Sequence, residues 1–357
     1  MTEFSSDHAS RPHLPLATVP VHSREQDQIP SYEIQRAASS SLTEDNFRSM
    51  WATGDPLLLY GVLQNFQLDW DPPSFINKYG SQECDVVDCQ TGDVTKTTVK
   101  KFFRRFMQTS SPNQTLKLKD WPPTSDFRLN FPELYEDFSQ AVPMPNYVRR
   151  DGVFNISSHF PEKAVPPDLG PKMYNAYGNP NGTGVDSQGS TKLHMDMADA
   201  LNIMMYATSQ NGQPGCAAWD IFRASDSDQL RAFIQKRFSL IGPDPIHSQE
   251  VYLDDESRYA LWQETGVKSY RVYQQVGEAI FIPAGCAHQV CNLSHCIKVA
   301  IDFVSLENIG RCEQLTREFR EQNVGRAWKE DVLQLRAMMW FAWLSCLKQE
   351  EDNARLQ

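Results

Sequence analysis

The chain has 357 residues with 45 Asp and Glu against 34 Lys and Arg, a formal net charge of −11. That length buries a sizeable core in one large domain or two small ones, and the acidic balance favours a basic partner or substrate. No apolar leader segment opens the sequence, and no stretch is long and apolar enough to suggest a membrane span.

Residues 1–40 are rich in Ser, Pro, His, Gln and charge and are expected to be a disordered tail. His8, His13 and His22 lie there and are discounted as metal ligands. Order is expected from Ser41, with Thr43 capping a short helix through Phe47, Met50 and Trp51. Pro56-Leu57-Leu58-Leu59-Tyr60 reads as a buried strand, and 70–79 as a helix with Pro72 and Pro73 at its start. Residues 84–89 form another strand candidate. Residues 99–107 are amphipathic, with Phe102, Phe103 and Phe106 at helical spacing. Their Lys100, Lys101, Arg104 and Arg105 read as a solvated helix face, with a nuclear targeting signal as the alternative. Residues 116–123 and 142–145 read as Pro-punctuated connections. Residues 178–190, rich in Gly, Asn and Ser, read as a substrate-facing loop.

The second half is richer in strands. Ala200-Leu201-Asn202-Ile203-Met204-Met205-Tyr206 is one apolar run, 209–215 a turn, and 217–222 the next strand. Residues 227–238 and 252–264 have helical character, 270–276 alternates as a strand, and 279–282 is a short apolar strand closed by Pro283 and Gly285. From 296 to 304 alternation is clear, with Ile297, Val299, Ile301 and Phe303 on one face and Lys298, Ala300 and Asp302 on the other. Helix is expected from Leu306 and again near the end, where Leu333, Ala337, Trp340, Phe341, Leu344 and Leu347 make an apolar stripe for core packing or self-association. Short strands wrapped by helices suggest a jelly-roll-like barrel, whose mouth suits a small cosubstrate. The eight cysteines show no tight Cys-x-x-Cys knuckle and read as reduced thiols in strands and turns, although Cys286, Cys291 and Cys296 recur every five residues.

Two histidines and a carboxylate organise this pattern. Thr191-Lys192-Leu193-His194-Met195-Asp196 precedes one strand, and Pro283-Ala284-Gly285-Cys286-Ala287-His288 follows another. Two imidazoles and one carboxylate on one face of a metal leave the other face open, as non-haem iron(II) requires for oxygen chemistry. Zinc with a water is satisfied by the same three groups. Asp199 is a rival for Asp196, while His159, His247 and His295 read as structural or surface residues.

Beyond the triad, longer strings carry a resemblance. They are Leu116-Lys117-Leu118-Lys119-Asp120-Trp121-Pro122-Pro123, Arg149-Arg150-Asp151-Gly152 and Pro167-Asp168-Leu169-Gly170-Pro171-Lys172-Met173-Tyr174-Asn175-Ala176-Tyr177-Gly178. Asp244-Pro245-Ile246-His247, His288-Gln289-Val290, Cys296-Ile297-Lys298-Val299-Ala300, Asp302-Phe303-Val304-Ser305 and Leu315-Thr316-Arg317-Glu318-Phe319-Arg320 continue it. Over 43–322 the chain resembles the JmjC iron(II)- and 2-oxoglutarate-dependent oxygenases, in particular the histone demethylases that act on histone H3 lysine-9.

The resemblance implies a mainly β fold with surrounding helices, the double-stranded β-helix (cupin-like jelly roll). It would place a disordered tail at 1–40, an N-terminal α/β part at 41–130, the JmjC barrel at 131–325 and a C-terminal helix at 326–357. It also implies iron(II) on His194, Asp196 and His288, with 2-oxoglutarate as cosubstrate, dioxygen as oxidant, and loss of N-methyl groups as formaldehyde. Thr191 matches a position that hydrogen-bonds 2-oxoglutarate. Many members bind its distal carboxylate with a lysine near Trp219, but here Cys216, Ala217 and Ala218 stand there; Lys298 is the expected replacement, assisted by Asn202 and, less directly, by Tyr206. The implied setting is the nucleus, with the histone H3 tail as partner. No sequence-specific DNA-binding element is evident. Larger members carry a cysteine-rich zinc module ahead of this domain; none is seen here, so a separate chromatin-targeting partner is expected. The loop after Tyr206 is also shorter. The alternatives are a hydroxylase of a non-histone protein, a chromatin-binding pseudoenzyme, and a cupin-like metal isomerase or binding protein.

Overall fold

The structure, a computed structural model, describes residues 29–108, 115–119, 121, 126–161, 164–179, 181–209, 212–240, 244–322 and 332–356. Residues 1–28 of the expected tail, positions 120, 122 and 123 of the Trp121 string, 210–211 of the turn and 326–331 of the C-terminal segment lie outside these.

The first third alternates short strands and helices. β1 (Gln35–Ala38) is followed by α1 (Glu44–Trp51), β2 (Leu57–Tyr60) and α2 (Pro72–Tyr79). Thr43 caps α1 by accepting the Asn46 amide at 3.3 Å, and Asp71 caps α2 ahead of two prolines that need no donor. Next come β3 (Glu83–Asp88), β4 (Val94–Thr98), α3 (Val99–Phe106) and β5 (Leu116–Lys119). α4 (Phe127–Asn130), α5 (Pro132–Ala141) and α6 (Pro145–Val148) lead into β6 (Lys172–Ala176).

The remainder supplies the barrel strands: β7 (Thr191–His194), β8 (Asp199–Ala207) and β9 (Cys216–Phe222). Two helices, α7 (Ser227–Arg237) and α8 (Asp255–Thr265), separate these from β10 (Ser269–Gln275), β11 (Ala279–Ile282), β12 (His288–Asn292) and β13 (Cys296–Phe303). α9 (Ile309–Gln322) and α10 (Leu335–Leu356) close the chain. No described helix is long and apolar enough to cross a membrane.

The strands form two sheets. The larger runs β1-β2-β11-β8-β13-β6-β5-β3-β4 and the smaller β10-β9-β12-β7. Their facing sides share one apolar cluster: Leu58, Ala200, Met204 and Ile280 from the large sheet meet Ala217, Trp219, Ile221, Val272 and Val290 from the small one. This is the jelly-roll barrel expected from the sequence. Outside the large sheet, α1, α2, α3 and α5 bury an aromatic core that includes Phe47, Trp51, Phe75, Phe103, Phe106, Phe281 and Phe303. Outside the small sheet, α7, α9 and α10 bury Phe222, Leu230, Ile234, Cys312, Leu315 and Met338. Both outer layers hold the sheets rigid around the barrel.

Three expectations need correction. Residues 29–40 are ordered rather than part of a tail: β1 pairs in parallel with β2, Ile34 is buried, and Arg223 lies over the Tyr32 ring at 3.8 Å. Backbone hydrogen bonding and two anchored side chains override a polar composition. Residues 116–119 are a strand, not a connection, because β5 fills the gap between β3 and β6. Tyr252 precedes α8, which starts after the Asp254 cap. The division expected at 130 falls between α4 and α5, and strands from both sides of it share the large sheet.

Candidate metal centre

His194 ends β7 and His288 begins β12, and the two residues sit opposite each other in the antiparallel pair. Thr191 lies three positions before His194, a spacing that in a regular strand points them to opposite faces. The register shifts here: Val290 pairs with Thr191 while His288 pairs with His194, so three steps on β7 match two on β12. This bulge turns both Thr191 and His194 toward the barrel interior with His288 and Val290, and leaves Leu193 in the outer core.

Asp196 follows on the loop to β8. Its carboxylate lies 3.8 Å from His194 Nε2 and 3.6 Å from His288 Nε2, and the imidazole centroids are 4.2 Å apart. One donor atom from each residue falls within 4.8 Å of the others. Each histidine turns its other nitrogen to a carbonyl two residues back: Nδ1 of His194 to Lys192 O at 2.8 Å, and Nδ1 of His288 to Cys286 O at 3.0 Å. Carbonyls only accept, so Nδ1 carries the proton on both rings and each Nε2 lone pair faces the shared space. Burial, then the neighbouring His194, pushes the His288 pKa down to about 4, which keeps the imidazole in its ligating neutral form. The donor set therefore fits a first-row divalent cation.

Asp199, the rival carboxylate, is occupied otherwise. It accepts from Ala284 N at 2.9 Å, Asn308 Nδ2 at 2.9 Å and Ser305 Oγ at 2.5 Å, tying the start of β8 to the turns around the metal centre. Burial raises its pKa to about 6. His247 lies within a second acidic group, but Arg231 fills that cluster, bonding Asp244 at 2.5 Å and Glu318 at 2.6 Å while His247 bonds Glu318 at 2.9 Å. His295 accepts the Gly178 amide at 2.8 Å. Cys286, Cys291 and Cys296 are buried and their thiols pushed up to about 12 by that burial; among the described residues no cysteine joins a potential metal cluster.

Deeper in the barrel, β13 turns Cys296 and Lys298 inward. Lys298 is buried; its ammonium donates to Asn292 Oδ1 at 2.7 Å and lies 5.1 Å from the Trp219 ring centroid. That uses one of three donors, and burial lowers its pKa to about 8. Asn202 on β8 shares the inner face with Met204, and its buried Oδ1 has no partner among the described residues. A buried cation with spare donors and an orphaned amide on neighbouring strands inside the barrel fit a dicarboxylate ligand.

Tyr206 does not join them. Alternation puts it on the face of Asn202 and Met204, but the β8–β13 register shifts between Ile297 and Lys298, and Tyr206 emerges on the outer aromatic core near Phe106. Sequence reading also missed the back of the small sheet. There buried Asp220 meets Arg258 at 3.0 Å and Arg271 at 2.7 Å, with Ser269 and Gln289 donating to it at 2.9 and 3.0 Å. Burial pushes this carboxyl up, but the two guanidinium groups outweigh it and hold its pKa below the usual value. The only signal was a charged residue inside an apolar strand.

A jelly-roll barrel with an inward His-x-Asp…His set defines a cupin-like fold with a candidate metal centre. Residues 186–303 match the family model described as JmjC domain, hydroxylase. The chain belongs to the JmjC family. It is 38% identical over 343 residues to Lysine-specific demethylase 3A of Gallus gallus, a match covering 83% of this chain and 26% of that protein. It is 37% identical over 346 residues to Lysine-specific demethylase 3 of Drosophila melanogaster (84% and 40%), and 32% identical over 366 residues to Lysine-specific demethylase JMJ29 of Arabidopsis thaliana (81% and 41%). The matches thus cover between about a quarter and two fifths of these relatives' length.

Proposed function

We propose that this chain is a nuclear histone lysine demethylase that removes methyl groups from lysine-9 of histone H3. The observation that supports it most is the triad: two histidines with fixed tautomers and one carboxylate converge at the mouth of the barrel. In this reading His194, Asp196 and His288 hold iron(II). Thr191, Lys298 and Asn202 hold 2-oxoglutarate, with Lys298 replacing the lysine absent before Trp219. Iron(II) with 2-oxoglutarate and dioxygen supplies an oxidant able to hydroxylate an N-methyl group, whose hemiaminal breaks down to formaldehyde and the shorter methylation state.

The protein's own contribution is placement. The Lys192 and Cys286 carbonyls fix the imidazoles, and the Lys298 ammonium matches one carboxylate of the cosubstrate. The apolar wall of Trp219, Met204 and Val290 excludes water behind it. The acidic chain suits a basic histone tail. The demethylase names of the relatives favour this reaction over hydroxylation of another protein. A separate partner for chromatin targeting belongs to the same proposal.

The test is mass spectrometry of an H3-tail peptide dimethylated at lysine-9, incubated with the protein, iron(II), 2-oxoglutarate, ascorbate and oxygen, with His194→Ala as control. Stepwise loss of methylene mass, absent in the control, is the expected result. Gain of one oxygen indicates a hydroxylase instead. No peptide change and no succinate indicates a binding protein, and succinate without peptide change a different substrate.

A further inference from the structure

β12 carries a polar group at each end of its inward face. His288, Val290 and Asn292 share that face, so the metal-ligating imidazole and the Asn292 amide start about 13 Å apart along one strand. Asn292 is buried and its backbone is held from three sides. Its amide donates to Ser190 Oγ at 2.8 Å, its carbonyl accepts from Asn179 N at 2.8 Å, and it pairs with Ala217 of β9. Ser190, immediately before β7, also donates to Val290 O at 3.1 Å, which locks the end of β12 in place. From this fixed backbone Asn292 Oδ1 accepts from the Lys298 ammonium at 2.7 Å. An ammonium only donates, so the amide must turn its oxygen to it.

The chemistry of this acceptor is unusual for a buried cation. On the outer face of the small sheet, Arg258 and Arg271 meet the carboxylate of Asp220. Lys298 meets a neutral amide instead. The other titratable side chains within its electrostatic reach are the thiols of Cys216 on β9, Cys291 on β12 and Cys296 on β13. Burial pushes these up to about 11, 12 and 12, so all three stay neutral near pH 7. The Trp219 ring, 5.1 Å from the ammonium, adds a neutral π face, and its own N–H is turned away to Gln274 Oε1 at 3.0 Å. Among the described residues no carboxylate pairs with Lys298. An amide orients a cation without neutralising it, whereas an aspartate in the same place would do both.

We propose that Asn292 is a positioning residue for the cosubstrate: it aims the Lys298 ammonium while leaving its positive charge uncompensated, so that the charge stays available to an anionic tail. The inference rests on the reading of Lys298 as a 2-oxoglutarate contact and deepens it, because it names the group that keeps this contact selective for a second carboxylate. β12 thereby fixes a metal ligand at one end and the direction of the cation at the other. Asn292 is not part of the metal-ligating set.

The experiment titrates 2-oxoglutarate by calorimetry into manganese(II)-loaded protein under nitrogen and records the thermal midpoint of each variant. Asn292→Asp keeps the shape of the side chain but supplies an anion. It is expected to weaken binding by about a hundredfold or more, with a midpoint equal to or above wild type, because the ammonium gains a counter-charge. Asn292→Ala removes the tether but leaves the charge, and should weaken binding by about tenfold or less. Asn292→Thr, with an acceptor oxygen and no charge, should bind more tightly than Asn292→Ala, and this pair decides if Asn292→Asp does not fold. A side chain that only fills space gives the reverse order, since the isosteric aspartate disturbs packing least. Binding by Asn292→Asp as tight as by Asn292→Ala overturns the Asn292 assignment alone, as does Asn292→Thr binding no better than Asn292→Ala. A wild type that does not bind 2-oxoglutarate, or that binds it equally after Lys298→Met, overturns the reading of Lys298 and this inference with it.

Discussion

The outer face of the small sheet and the inner face of the large sheet treat buried polar groups in opposite ways. On the outer face, Asp220 is enclosed by Arg258, Arg271, Ser269 and Gln289. On the inner face, Lys298 uses one donor and Asn202 Oδ1 has no partner among the described residues. Both faces are shielded from water, so the cost of an unmet hydrogen bond is similar on each. The lesson is that polar groups kept for architecture are satisfied within the chain, whereas those kept for a ligand retain unused capacity. Valence left open beside a converging metal-ligand set is what marks the inner face as the site.

The strongest way to break this comparison is to remove the metal set. Asp196→Ala should lower succinate release to that of metal-free protein and abolish metal uptake, measured by metal analysis after desalting, while leaving the outer network and the fold intact. Next in size is the outer face. Asp220→Ala leaves two buried guanidinium groups without their shared anion and should destabilise the fold by about 3–5 kcal/mol in urea unfolding. Lys298→Met should do the opposite, leaving unfolding unchanged or raising its midpoint, because it replaces an under-satisfied buried cation by an apolar chain of similar shape. Equal losses of stability in these two variants would erase the distinction.

Smaller effects come from pH. The folded pKa of His288 is about 4, against about 6.5 for a free imidazole. Between these values the unfolded chain takes up a proton that the fold refuses, so metal-free protein should lose stability as pH falls from about 6.5 toward 4. Urea midpoints at pH 7 and 5 should differ less in His288→Asn than in wild type. For Lys298, whose pKa is about 8, a dianion binds best to the protonated amine, so 2-oxoglutarate affinity should weaken as pH rises through 8.

Much of this was legible in the sequence. Apolar runs gave β8, β9, β11 and β13 because each is buried on both faces or alternates cleanly, and Pro283 and Gly285 marked the turn that leads to His288. The inward direction of Lys298 followed from parity with Ala300 and Asp302. What parity cannot see is a bulge. One in the β7–β12 pair brings Thr191 and His194 to one face, and another in β8–β13 removes Tyr206 from the barrel interior. Nor does local pattern reveal partners distant in sequence. Arg258 and Arg271 reach Asp220 only after the small sheet forms. β1 and β5 are short and polar, and they are strands because a neighbouring strand offers them hydrogen bonds.

The central claim is that the unmatched polar groups inside the barrel hold 2-oxoglutarate next to the metal set. Calorimetric titration of 2-oxoglutarate into manganese(II)-loaded wild type and Lys298→Met tests it most directly. The account predicts metal-dependent binding by wild type and an affinity about tenfold to a hundredfold lower in the variant, with folding unimpaired. No binding by metal-loaded wild type, or equal binding by both proteins, would contradict it.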